Sequence, residues 1–370
     1  MTANQRFTAL DVFRGMTVCF MIIVNNQAGP AFTPLHHAAW HGFTPTDLVF
    51  PSFLFAVGNA MAFTMPKWEG LQHSTVIQKI LKRTVIIFLI GYLLSWFPFY
   101  VQDASGAWSL KPIENTRIFG VLQRIALCYG IAALLIHFLS AARVVAASLF
   151  LLIGYWLILT WGGDYTMLGN VGIAVDKWLV GDNHLYKGEG IPFDPEGFLS
   201  TFPAVVNVII GYFAGVLLRD KGKDYESIAK VLLAGVVLMA VAYAWNYGFP
   251  INKKLWTSSY VLYTSGISLM MIGLLVYMMD KSSMSKGWNY FFEVFGKNPL
   301  FIYVLSGIIP RLFSMIRVES DKTLGDLITD DIFQKLIPGE WGTLFYSISL
   351  TLVCWLVGYW MDKKKIYVRV

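Results

Sequence analysis

Apolar runs of nearly uniform length follow one another along the whole chain, separated by short polar connections. Ten such blocks lie at about 8–29, 46–66, 77–99, 117–139, 143–162, 200–219, 228–247, 256–279, 288–310 and 341–361. Each is close to the roughly 20 residues that carry a helix across a bilayer core. In lipid, backbone groups must be satisfied within the segment, and the alternating ten-residue pattern of a membrane barrel is missing, so the blocks predict helices. The pattern predicts an all-α polytopic membrane protein of about ten transmembrane helices, built as a single transmembrane domain over residues 1–370. The first block carries Asp11 and Arg14 and has no small-residue cleavage site, which predicts a retained helix and not a signal peptide.

Polar side chains inside the blocks are the next signal, because an ionisable group in a span is costly and marks either a buried structural pair or a functional site. In the first block Asp11, Arg14 and Asn25 fall within about 60° of one another and extend over roughly 21 Å of helix, forming one polar stripe. Asp11 and Arg14, three apart, are spaced to pair. Asn25 either caps carbonyls at the helix end or donates to a developing oxyanion, while Asn26 points elsewhere and is the better cap. In the fourth block Arg124 lies well inside, beside Gln123, with Arg117 seven residues earlier on roughly the same face. A permanent guanidinium there suits a phosphate or a helix carboxylate. In the ninth block Glu293 and Lys297 have the i,i+4 spacing of a pair, which leaves Asn298 as the residue of interest.

Composition agrees with the block pattern: the chain is 56% hydrophobic and 14% charged, with mean hydropathy +0.56, which excludes an ordinary soluble domain. Charge adds direction. Sixteen of the 29 lysines and arginines, Arg6, Lys223, Lys281 and Arg369 among them, fall at the termini or in loops after even-numbered blocks, against ten in the odd-numbered loops. Both termini are therefore expected on the cytoplasmic side. The net charge of +6 reads as topology and contact with anionic lipid, and no basic-aromatic module points to nucleic acid. The three cysteines, Cys19, Cys128 and Cys354, lie inside blocks without a CxxC, so neither a disulfide nor a zinc ribbon is expected. A secondary transporter is the alternative class for such a chain; the lack of a clear internal repeat counts against it.

Between the first two blocks, "LHHAAWHGFTPTDLVFP" at 35–51 concentrates polar chemistry. His37 and His41 are i,i+4, a metal spacing in a helix, but Gly42 and Pro45 oppose a continuous helix and a site would also want a carboxylate or a third nitrogen close by, so no metal is expected; a metal-binding membrane protein using His36, His37 and His41 is a third reading. Thr44-Pro45-Thr46-Asp47 reads as a helix start. Asp47 then either complements the helix dipole or orients a histidine ring and fixes its tautomer. A histidine, an orienting carboxylate and an amide donor are the parts of an acyl-transfer site.

Eight segments, in order, carry a family resemblance: "LDVFRG" at 10–15, "VNN" at 24–26, "HHAAWHGFTPTDLVFPSFLFAVG" at 36–58, "GVLQRIALCY" at 120–129, "GDNHLY" at 181–186, "DPEGFLST" at 194–201, "INKKLWTSSYVL" at 251–262 and "FGKNPLFIY" at 295–303. Together they resemble the heparan-alpha-glucosaminide N-acetyltransferase family of membrane-embedded enzymes, lysosomal and bacterial. The resemblance implies transfer of acetyl from cytoplasmic acetyl-CoA, as co-substrate, to the amine of a terminal glucosamine or similar amino sugar across the membrane. It implies that His37 is the active-site histidine and Asn25 its amide partner, with Asp47, Asp11 and Arg14 on family-like positions. Asp11, Arg14, Arg124 and Asn298 are the candidate acetyl-CoA contacts. Asp182, His184, Asp194 and Glu196, in the long loop at 162–199, and Lys253 and Trp256, in "INKKLW", are the candidate sugar contacts. "DPEG" is equally an ordinary helix start capped by Asp194, and Lys254 reads as an interfacial anchor. The sequence begins at the first of these helices, without the luminal domain and leading helix of the lysosomal members, which argues against heparan sulfate as acceptor. A bacterial inner (cytoplasmic) membrane enzyme acting on a periplasmic amino sugar or glycan fragment is expected. A homodimer is neither required nor excluded.

Overall fold

The structure, a computed structural model, describes residues 8–102, 107–222, 224–280, 286–318 and 322–368. Arg6, Lys223, Lys281 and Arg369, counted above for orientation, lie outside the described residues. Among the described residues the apolar blocks are helices: α1 (Thr8–Asn25), α2 (Val49–Thr64), α3 (His73–Trp96), α4 (Val121–Phe138), α5 (Ala141–Gly162), the short α6 (Val171–Val180), α7 (Phe198–Lys221), α8 (Tyr225–Trp245), α9 (Ser258–Asp280), α10 (Lys286–Lys297), α11 (Pro299–Met315), the single turn α12 (Leu324–Asp326) and α13 (Glu340–Lys363). The described strands are β1 (Tyr100–Gln102) and β2 (Trp108–Leu110), an antiparallel hairpin in the α3–α4 connection.

Eight helical segments are long and apolar enough to cross a membrane, and α10 with α11 makes a ninth if the bent pair is one span. The expectation of about ten is lowered by α3, which has 24 residues but carries Lys79, Lys82 and Arg83 in its first half. The block expected at 288–310 is not one helix, because α10 and α11 meet at 80°. Pro299 brings no N–H and disfavours helical backbone before it, and Asn298 sits at φ −131° and ψ 52°.

Close backbone contact fixes the two helices that matter most for the site. A Cβ added to Gly58 would lie 1.9 Å from the Val208 carbonyl oxygen, and one on Gly211 2.1 Å from that of Phe55, so α2 and α7 touch backbone to backbone. Around them Leu54, Ile22, Val205, Tyr260 and Trp256 form part of the main apolar core. The connections converge at one end of the bundle. Gly42 N donates to Ile251 O (2.8 Å) and Ile118 N to His184 O (3.1 Å), and Trp40 Nε1 donates to Tyr165 O (2.8 Å). The loops leaving α1, α3, α5 and α8 are thereby gathered beside the starts of α2, α4, α7 and α9.

Candidate active site

The turn that starts α2 builds the first half of the site. Pro45–Leu48 is a 3₁₀ turn with Thr44 and Asp47 in a capping box. Asp47 is fully buried, and its Oδ2 accepts from Thr44 N (3.0 Å), Thr44 Oγ1 (3.0 Å) and Ala38 N (3.1 Å). Its Oδ1 faces His37 Nδ1 at 2.7 Å. Asp47 thus completes the capping box with one oxygen and faces the His37 ring with the other. The α9 residue Tyr260 donates its hydroxyl to the Asp47 carbonyl at 2.6 Å and pins the turn from behind.

With Nδ1–H directed to Asp47, His37 keeps a lone pair on Nε2, the form a base or nucleophile needs. The ring is 43% exposed and faces a cavity of about 240 Å³ that Asn25, Asp47, Arg117, Tyr186, Glu189, Glu196, Lys253 and Lys254 also line. The side-chain amide of Asn25, at the end of α1, makes no hydrogen bond among the described residues, whereas Asn26 Nδ2 caps Ile22 O at 2.8 Å. An amide with a free donor beside a histidine is the arrangement that can stabilise an oxyanion.

The three histidines of the opening connection go to separate partners. His36 Nε2 meets Ala31 O at 2.9 Å, and His41 Nδ1 meets Asn252 Nδ2 at 3.3 Å. Among the described residues no group of three or more His, Cys, Asp or Glu side chains is arranged to hold a metal.

On the opposite wall Arg117 organises two carboxylates. It reaches Asp194 with Nε (2.8 Å) and Nη2 (2.6 Å), bonds Glu196 as well, and stacks over the Tyr186 ring at 4.6 Å. Asp194 is buried and also accepts from Glu196 N at 3.0 Å and Tyr186 N at 3.3 Å. Two carboxylates share one guanidinium, so they separate. Burial raises Asp194; burial also raises Glu196, but Arg117, Arg124 and Lys253 outweigh it and hold that carboxyl low. Lys254, read from the sequence as an anchor, binds Glu189 at 2.5 Å and closes the cavity rim.

Of the candidate residues, the fold brings His37, Asn25, Asp47, Glu196 and Lys253 to one cavity. Asp194 stands behind it as the partner of Arg117. Trp256 is fully buried beneath it, donating Nε1 to Asn207 Oδ1 at 3.1 Å. His184 Nδ1 meets Thr116 O at 2.7 Å, and Asp182 pairs with Lys177 at 3.3 Å, half-exposed; neither lines the cavity. None of the four candidate acetyl-CoA residues lines the cavity: Asp11 and Arg14 meet the end of α10 near Asn298, and Arg124 stands apart from them. Arg14 bonds Asp11 at 2.7 Å and donates Nε to Gly296 O at 2.8 Å. Arg124 is buried, donates Nη2 to Gly197 O at 3.0 Å, lies over the Trp256 ring at 4.7 Å, and has no hydrogen-bond partner at Nε or Nη1 among the described residues. Asn298 holds the C-terminal segment, donating to Ile366 O at 3.1 Å and accepting from Val368 N at 2.8 Å. Lys297 bonds Asp362 at 2.8 Å.

Comparison with known proteins decides the family. Residues 6–244 match the family described as "Heparan-alpha-glucosaminide N-acetyltransferase, catalytic". The chain belongs to this family. Its acetyltransferase relatives include the heparan-alpha-glucosaminide N-acetyltransferases of Homo sapiens, 25% identical over 95% of this chain and 60% of that protein, and of Mus musculus, 27% identical over 84% of this chain and 55% of that protein. The chain thus spans a little more than half the length of these relatives. The matched region of the N-acetyltransferase family contains His37, Asn25, Asp47, Arg117, Asp194 and Glu196, while Lys253 and Lys254 fall beyond its end.

Proposed function

We propose that the protein is a multi-pass membrane acetyltransferase that moves acetyl from acetyl-CoA to the amine of a terminal glucosamine or similar amino sugar, with His37 as base and Asn25 as oxyanion donor. The observation that carries the reading is the Asp47–His37 bond of 2.7 Å inside a cavity that Asn25 also lines. A sugar amine is mostly protonated at neutral pH, so it first releases one proton to solvent; His37 Nε2 would then accept a second as the neutral nitrogen attacks the thioester carbon. Asp47 would balance the imidazolium that results, and the Asn25 amide would meet the oxyanion, a contribution of about 3 kcal/mol. On the other wall Glu196, Tyr186 and Glu189 offer acceptors and an aromatic face to the sugar. Asp182, His184, Asp194 and Trp256, which stand outside the cavity, are assigned supporting places.

The charge bias of the loops supports cytoplasmic termini; in this reading acetyl-CoA arrives from the cytoplasm and the acceptor from the periplasm of a bacterial inner membrane. No step is assigned to Asp11, Arg14, Arg124 or Asn298. Purified protein in detergent tests the proposal. CoA release from acetyl-CoA should depend on glucosamine and fall about 10²–10⁴-fold in His37→Ala. Solute uptake into liposomes without CoA turnover would overturn it in favour of transport. Radiolabelled acetyl retained on wild type but not on His37→Ala, before acceptor is added, would replace the base role with an acetyl-histidine.

A further inference from the structure

Lys253 stands in the α8–α9 connection, a segment braced by its neighbours: Asn252 accepts from Leu255 N at 2.8 Å, and Lys254 is tied to Glu189 at 2.5 Å. So braced, Lys253 Nζ lies 2.9 Å from Nδ1 and 3.0 Å from Nε2 of His37, and 3.8 Å from Asp47 Oδ1, with its side chain 15% exposed. Nζ is nearly equidistant from the two ring nitrogens and so lies beside the ring, not along either lone pair; with Nδ1 engaged by Asp47, Nε2 is the nitrogen left to accept, and rotation of the lysine side chain brings the amine to it. That is the nitrogen the acetyl-transfer reading requires as base.

We propose that Lys253 is a second catalytic residue, forming with His37 a pair that shares one proton, so that the proton leaving the acceptor amine passes from His37 Nε2 to the Lys253 amine. The inference rests on the acetyl-transfer reading of the same cavity.

Electrostatics supports the pairing. With the lysine amine about 3 Å from the imidazole, a positive charge on one disfavours a second on the other, so the pair is suited to hold a single added proton. The charged groups facing Lys253 are Asp47 from the turn before α2, Glu196 from the turn before α7, Glu189 from the α6–α7 connection and Lys254 next in the chain. Burial pushes the Lys253 ammonium below the ordinary lysine range and Lys254 adds to this, while Asp47, Glu196 and Glu189 act against it. A neutral amine beside a neutral imidazole is thus accessible at lower pH than for an exposed lysine.

The proton balance closes. As the acceptor nitrogen attacks, a C–N bond forms at the thioester carbon and the N–H proton moves to Nε2 and on to Nζ. The resulting ammonium faces the oxyanion together with Asn25. When the C–S bond breaks, the thiolate takes that proton from Lys253, and both residues return to their neutral forms.

The test uses the full chain in detergent with acetyl-CoA and glucosamine, and reads kcat against pH. Arginine keeps the positive charge but does not release its proton, so Lys253→Arg is expected to lose about 10²–10⁴-fold in kcat with little change in acceptor KM. In a second variant, Lys253→Cys alkylated with 2-bromoethylamine rebuilds an amine of lower basicity at the same place. The native Cys19, Cys128 and Cys354 are buried. Alkylation should restore turnover and move the rising limb of the profile to lower pH, which a structural role would not do. Lys253→Arg with wild-type kcat and an unmoved profile, in a protein where His37→Ala is inactive, overturns the Lys253 role alone. Failure of alkylation to restore activity in folded Lys253→Cys does the same. A wild-type protein that transfers no acetyl overturns both readings.

Discussion

Replacing Asp47 with asparagine sets the two jobs of this side chain against each other. Asparagine has one carbonyl oxygen and one NH₂, and the site has donors on both sides. If the amide oxygen takes the place of Oδ2, it keeps Ala38 N, Thr44 N and Thr44 Oγ1, now at 3.1, 3.0 and 3.0 Å. The NH₂ then faces His37 Nδ1, which must become an acceptor, and the ring proton moves to Nε2. In the flipped orientation His37 keeps its tautomer, but two backbone N–H groups lose their acceptor, at about 1–3 kcal/mol each. That cost of about 2–6 kcal/mol exceeds the worth of one retained bond to His37, about 0.5–1.5 kcal/mol once the partner is neutral. The first orientation wins, so the fold survives and the base does not. Enforcing the wrong histidine tautomer in a Ser-His-Asp triad costs about 10⁴ in kcat, and a fall of that order is expected in glucosamine-dependent CoA release. Thermal unfolding in detergent should shift by only a few degrees. An Asp47→Asn enzyme within tenfold of wild type, with unchanged unfolding, would refute the reasoning.

Two further outcomes follow from the same geometry. Asn25→Ala should lower kcat by about 10²–10³, the worth of one oxyanion donor, without lowering the unfolding temperature, since the Asn25 amide makes no recorded hydrogen bond among the described residues; an equal loss of stability would contradict this. Asp176 is buried on α6, accepts from Phe198 N at 2.8 Å, and is pushed up to about 7 from 3.8 by burial. An acid raised on folding stabilises the protein below its unfolded value and loses that contribution as pH climbs to about 7, here up to about 4 kcal/mol. Asp176→Asn retains an acceptor for Phe198 and removes the charge, so its unfolding temperature should exceed wild type at pH 8 and converge with it near pH 4. Parallel curves across that range would disprove the assignment.

How far the site was legible depends on how local each interaction is. The Asp47–His37 pair spans ten residues and was readable because Thr44-Pro45 announces a helix start that puts Asp47 in its first turn. Asn25 was readable from helical periodicity and from the resemblance. The break at Pro299 was present in the residues, yet the apolar run continued through it and hydropathy alone joined the halves. The sequence groups Lys253 with the sugar contacts because nothing across a separation of 216 residues signals that its amine reaches His37. The pairings of Arg117 and Lys254 are hidden in the sequence for the same reason: their partners Asp194 and Glu189 lie 77 and 65 residues away.

The sequence by itself determined the class of molecule: uniform apolar blocks can satisfy their backbones in lipid only as helices, and ordered motifs singled out His37, Asp47 and Asn25 as candidates. Only the tertiary structure decided which loops share an end, and hence which charges meet. The backbone contact of α2 on α7 and the bracing of the α8–α9 connection bring Glu196 and Lys253 to the His37 cavity and leave Asp182 and His184 outside it. Side-chain hydrogen bonds are set to within tenths of an ångström by packing of distant segments, which hydrophobic periodicity does not encode.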